Sequence, residues 1–83
     1  MYQRQKKWIY PNLESKLYEA HISVSELAGM LGISRTSVYP KLIGDVGWNI
    51  KQQQMIRNKI NKRLKRNFTI DYLFKEDSPN GNK

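Results

Sequence analysis

The sequence predicts a compact all-α domain of four to five helices. Three observations carry that expectation. Apolar residues recur at spacings of three and four through most of the chain, the spacing of one helix face. A Ser, Asn or Thr of N-cap type stands before four of these segments, and glycines stand after two of them. The chain has 83 residues, 39% of them apolar and none of them Cys, so one small core must hold it without disulfides.

Residues 1–10 contain Arg4, Lys6 and Lys7 ahead of Trp8, Ile9 and Tyr10, with no clear periodicity. They read as a flexible basic arm anchored by aromatics. Pro11 suits the first position of a helix, where its missing N–H costs nothing. Leu13, Leu17 and Ala20 then give one apolar face of a helix running to His21. Ser23 with Glu26 forms a capping-box pattern, in which each side chain satisfies a backbone N–H that the first turn leaves orphaned. Leu27, Met30 and Leu31 supply the face of this second helix, about eight residues long, and Gly32 stops it in the left-handed conformation.

Ile33 reads as a buried residue and Ser34 as a new N-cap. The third helix is expected from Arg35 to about Ile43, with Val38 and Leu42 inward and Gly44 as its stop. Pro40 falls inside it, where it removes a bond to the Thr36 carbonyl at a cost of about 3 kcal/mol. The helix either kinks there or ends at Tyr39. Asn49 with Gln52 resembles another capping box, and the fourth helix should run from Ile50 to about Arg66. At roughly 100° per residue, Ile50, Ile56, Ile60 and Leu64 form a stripe, with most of the basic residues opposite. Met55 and Arg57 break that pattern, which either a bend in the helix or Arg57 reaching its head to solvent along the stripe would reconcile. Trp48 should anchor against this helix. Thr69 caps a last turn over 70–74, although the alternation over 68–72 also admits a strand. Residues 75–83 read as a disordered tail, which leaves 11–74 as the domain.

Fifteen Lys and Arg against seven Asp and Glu give a net charge of +8 and point to a polyanionic partner. His21 is the only histidine, and there is no carboxylate pair, phosphate-binding Gly loop or metal spacing. The sequence therefore argues against an enzyme, and no catalytic residue, cofactor or metal is expected. His21 itself reads as a surface residue near a helix end. No run approaches 18 apolar residues and the first residues lack a secretory stretch, so a cytoplasmic protein with no membrane partner is expected.

Two short helices joined by a Gly-containing turn make a helix-turn-helix. The string Ser23-Val24-Ser25-Glu26-Leu27-Ala28-Gly29-Met30-Leu31-Gly32-Ile33-Ser34-Arg35-Thr36-Ser37 resembles the Cro/repressor (XRE-type) family of phage and bacterial regulators. The likeness extends more loosely to Phe74. It implies a lambda-repressor-like fold, a third helix in the major groove of double-stranded DNA, and a homodimer on two half-sites. Carried over by position, it implies DNA contacts from Ser34, Arg35, Thr36, Ser37, Tyr39 and Lys41, with Ser23 and Ser25 at the start of the second helix. Arg35 suits the O6 and N7 of guanine, and Thr36 a thymine methyl or a base edge. Ser34, Ser37 and Lys41 fit phosphate or sugar. Purely structural roles compete: Ser34 and Ser37 as capping residues, Tyr39 as a packing residue.

The fourth helix carries seven Lys or Arg between Lys51 and Arg66 and no acid. It reads either as a phosphate-tracking surface, through Lys59, Lys62 and Arg63, or as a solvated outer face. The arm residues Arg4, Lys6 and Lys7 carry the same two readings. The expected function is sequence-specific DNA binding that regulates transcription, of phage repressor or Cro type. Two rivals stand beside it: an antirepressor that binds a repressor protein, and an excisionase-like factor that bends DNA.

Overall fold

The computed structural model describes residues 7–77. These form five helices: α1 Pro11–Glu19, α2 Val24–Leu31, α3 Arg35–Leu42, α4 Ile50–Leu64 and α5 Ile70–Leu73. Among the described residues there is no strand, so 68–72 takes the helical option. The domain is all-α, as its sequence predicts.

The caps explain where the helices start. Side chains of Ser23, Ser34, Asn49 and Thr69 each accept the backbone N–H three residues on. Only Asn49 and Gln52 complete a reciprocal capping box, at 2.8 and 3.1 Å. Glu26 does not return to Ser23; its carboxylate is drawn across to α4 instead. The helix ends are less uniform. Gly32 (φ 74°) closes α2 and Gly44 (φ 90°) follows α3, as expected of glycine. Two other ends use left-handed residues with side chains, His21 (φ 58°) after α1 and Lys65 (φ 57°) after α4. The bond from Ile22 N–H to the Leu17 carbonyl (2.9 Å) stabilises the first, and that from Arg66 N–H to the Asn61 carbonyl (3.0 Å) the second. These six-residue closures end α1 and α4 slightly earlier than the apolar spacing suggests.

α3 neither stops at Tyr39 nor loses its C-terminal turn. It continues through Pro40 to Leu42, and Ile43 N–H still reaches the Tyr39 carbonyl at 3.1 Å. The Pro40 carbonyl accepts from Asp45 and Val46 N–H, which turns the chain toward α4.

α1 packs on α4 and α5, while α2 packs on α3 and α4. Leu13, Leu27, Leu42, Ile56, Ile60 and Leu73 are fully buried where these layers meet. Burying each such side chain stabilises the fold by about 1.5–3 kcal/mol before entropy is counted. Ile50 does not belong to this core. It is 58% exposed at the first position of α4, at the edge of the stripe.

Residues 8–10 are part of the domain rather than an arm. Ile9 N–H donates to the Leu42 carbonyl (3.0 Å), and Asp77 N–H donates to the Ile9 carbonyl (2.7 Å). Tyr10 is buried edge-on to Phe74, with ring centroids 5.7 Å apart. Burial, with a smaller contribution from the nearby Glu76 carboxylate, raises its phenol pKa. Residues 75–77 are thus tied back to the domain, whereas the rest of the expected tail, 78–83, lies outside the described residues, as do Arg4 and Lys6.

Candidate nucleic-acid interface

The geometry of the α2–α3 unit follows from its turn. Gly32 takes the left-handed conformation that lets Ile33 N–H close on the Ala28 carbonyl at 3.1 Å. Ser34 then starts α3 in extended backbone. Val38 and Leu42 are buried, and of the helices only α2 approaches α3 closely. The N-terminal half of α3 opens to solvent, while its last turn is half-buried and bonded by Ile9.

Ser34, Arg35, Thr36, Ser37 and Tyr39 are all exposed on the N-terminal half of this helix. The Ser34 hydroxyl accepts the Ser37 N–H (3.2 Å) and lies 3.0 Å from both the Thr36 and the Ser37 hydroxyls. One Oγ therefore organises three side chains around the helix start. Arg35 has no ion pair or hydrogen bond among the described residues, so its full fork of N–H donors is available. Tyr39 is 39% exposed, too open to be a core residue. Ser23 and Ser25 are exposed at the start of α2, where the Ser23 hydroxyl also caps.

Lys41 does not share this freedom. Its ammonium donates to the Gly47 carbonyl (3.0 Å) and lies 5.7 Å from the centroid of the Trp48 ring. It fastens the connection between α3 and α4. Trp48 packs edge-on against Phe74 (5.8 Å), so its anchor is the residue that ends α5. Its indole N–H is buried without a hydrogen-bond partner.

The basic residues of α4 divide into two sets. Arg63 donates through one nitrogen to the Ala20 carbonyl and through another to the Glu26 carboxylate, both at 2.8 Å. Lys59 lies 3.5 Å from the same carboxylate. The Arg63 hydrogen bond, with lesser help from Lys59, holds the Glu26 pKa below the ordinary carboxylate range. Two of the three cations expected to track phosphate are thus spent in joining α4 to α1 and α2. Among the described residues Lys62 is exposed and without a partner, and so are Lys51 and Lys65, which were not among the expected phosphate contacts. The helical wheel held the signal: Arg63 sits only roughly 20° from buried Ile56, while Lys51 and Lys62 lie opposite the core. Arg57 is half-buried, its guanidinium turned onto the Asn58 side-chain carbonyl (3.0 and 3.2 Å). Lys7 is exposed, and His21 is a surface residue.

No protein-family model, curated protein or solved structure matches this chain. Among the described residues no group of three His, Cys, Asp or Glu is placed to hold a metal ion. No described helix is long and apolar enough to cross a membrane. The arrangement offers an exposed cationic and hydroxyl-rich helix face on a rigid two-helix support. Its exposed groups are hydrogen-bond donors and hydroxyls with no acidic partner among the described residues.

Proposed function

We propose that this protein is a cytoplasmic, sequence-specific DNA-binding regulator of transcription that inserts α3 into the major groove. The observation that carries this reading is Arg35: an unpaired guanidinium on the outward face of a helix whose only close helical neighbour is α2. In the groove it bonds O6 and N7 of a guanine, while Thr36 meets a neighbouring base. Ser23 and Ser25 at the start of α2 contact phosphate and set the helix's register. The excess of eight positive charges supplies the sequence-independent part of the affinity. The reading requires no cofactor, metal or catalytic group.

Selection of bound sequences from random duplex DNA tests it, and the symmetry of the enriched sites reports whether two copies bind together. Arg35→Ala should cost about 1–3 kcal/mol on the best site and far less on random DNA. Equal losses on both would reduce Arg35 to a phosphate contact. Absence of any DNA binding by the native protein at low salt would refute the reading and favour a repressor protein as the partner.

A further inference from the structure

The outward face of α4 has no role in the α3 reading. Lys51, Lys62 and Lys65 stand there exposed, with Gln54 and Asn58 between them, and none has an acidic partner among the described residues. At 1.5 Å rise per residue the stripe is about 21 Å long, enough to face several successive phosphates. The seven acids of the chain all lie outside 50–66, and Glu26, which does reach α4, goes to Lys59 and Arg63 on its inner flank. A helix face that is merely solvated commonly sets Glu four residues from Lys. Here Lys59 and Lys62, three residues apart within α4, repel instead, and no acid stands at either spacing from Lys62. A polyanion removes that repulsion.

α3 and α4 do not approach each other closely, and each turns its exposed side away from the core they share. Lys51 and Lys62 lie on the side of α4 opposite the buried Ile56 and Ile60, and Lys65 stands exposed at the helix's C-cap. We propose that the outer face of α4 is a second nucleic-acid surface, blind to sequence, by which one molecule holds a second duplex segment while α3 holds its site. The inference rests on the DNA reading of α3 for the first duplex and on the unpaired lysines for the second.

The test uses an immobilised duplex carrying the selected site and a labelled duplex of unrelated sequence, with protein at one copy per site. The native protein should retain the labelled duplex. The variant Lys51→Gln, Lys62→Gln, Lys65→Asn should release it while still binding the site. Gln keeps the helix propensity of Lys, and Asn tolerates the left-handed backbone at position 65. With three phosphate contacts at roughly 0.9 each, the slope of log K against log salt for the second duplex should flatten by about 2.7. Retention of the labelled duplex by the folded variant would overturn the proposal, since association of two copies through another surface would then explain bridging. Site binding by the native protein with no capture of the second duplex would overturn it equally. Arg35→Ala separates the two claims: if it leaves site binding intact while the lysine variant abolishes all DNA binding, the α3 reading fails and the α4 surface stands.

Discussion

Replacing Pro40 with alanine should make the protein more stable, although proline is usually the more rigid residue. α3 runs through position 40 without the N–H that would bond the Thr36 carbonyl, and Ile43 resumes the ladder onto Tyr39. Proline inside a helix costs about 3 kcal/mol relative to alanine, of which the missing hydrogen bond is about 1 kcal/mol. Two terms oppose the gain. Alanine makes the unfolded chain more flexible, at about 0.4–1 kcal/mol. It also removes ring methylenes that are only half-buried, at somewhat under 0.8 kcal/mol each. The balance is a stabilisation of about 1–2 kcal/mol, or roughly 4–16 °C in Tm for a domain of this size. Thermal and urea unfolding followed by circular dichroism at 222 nm measures it, and the helical signal of the native state should rise slightly. The turn built on the Pro40 carbonyl needs no proline ring and should persist. A lower Tm for Pro40→Ala would refute the reasoning. It would mean that the ring's packing and its restriction of the unfolded chain outweigh one backbone bond.

Gly44→Ala should destabilise the fold. A Cβ there would lie 2.6 Å from Ile9 Cδ1, and the φ of 90° is strained for any side chain; a loss of about 1–2 kcal/mol in urea titration is expected, and no loss would show that Ile9 moves aside freely. Glu26 has a lowered pKa when folded, so its contribution is present at neutral pH and is lost as pH falls through and below the ordinary carboxylate range. Glu26→Gln should therefore weaken the protein at pH 7 more than at pH 3, and an equal effect at both would deny the ion pair any role. Arg63→Met should cost about 1 kcal/mol for the Ala20 carbonyl bond, yet leave the salt dependence of DNA binding unchanged. A flattened slope would return Arg63 to the phosphate-binding set.

Much of the architecture was legible because local chemistry and the tertiary fold agree. Ser34 and Asn49 announce their helices through hydrogen bonds spanning only three residues, and Gly32 needs no distant partner to leave the α region. What sequence reading missed depends on contacts between distant segments. Glu26 looked like a capping partner for Ser23 because nothing nearby reveals a guanidinium 37 residues away. Trp8, Ile9 and Tyr10 show no period because they lie on the core as a short bent segment outside any helix. His21 and Lys65 adopt positive φ without glycine, since the closures onto Leu17 and Asn61 offset a local cost of about 1–2 kcal/mol. That Arg35 and Thr36 stand exposed at the start of α3 follows from the turn alone. That Lys41, Lys59 and Arg63 are held by Gly47, Glu26 and Ala20 could not be read, because a free and a committed cation look alike in a sequence.

The meeting of α1 with α5 also fixes the order in which the molecule can assemble. Asn12 donates from its side chain to the Tyr72 carbonyl (2.9 Å), and Asp77 reaches Ile9. Joining residues 60 apart carries a loop-closure term of about 3.6 kcal/mol, whereas α2 meets α3 across a turn of a few residues. The α2–α3 pair thus gains its contacts early, and the clasp of α1 on α5 is the late and costly step. In kinetic terms, Leu27→Ala should slow folding, while Asn12→Ala should chiefly speed unfolding. Stopped-flow measurements that gave the reverse would place the clasp in the folding nucleus. Because a late clasp is also the first to open, hydrogen exchange at Leu73 should run through a partial opening that leaves α2 and α3 folded. Because Ile9 also donates to the Leu42 carbonyl, that opening would reach the last turn of α3 while leaving its N-terminal half in place.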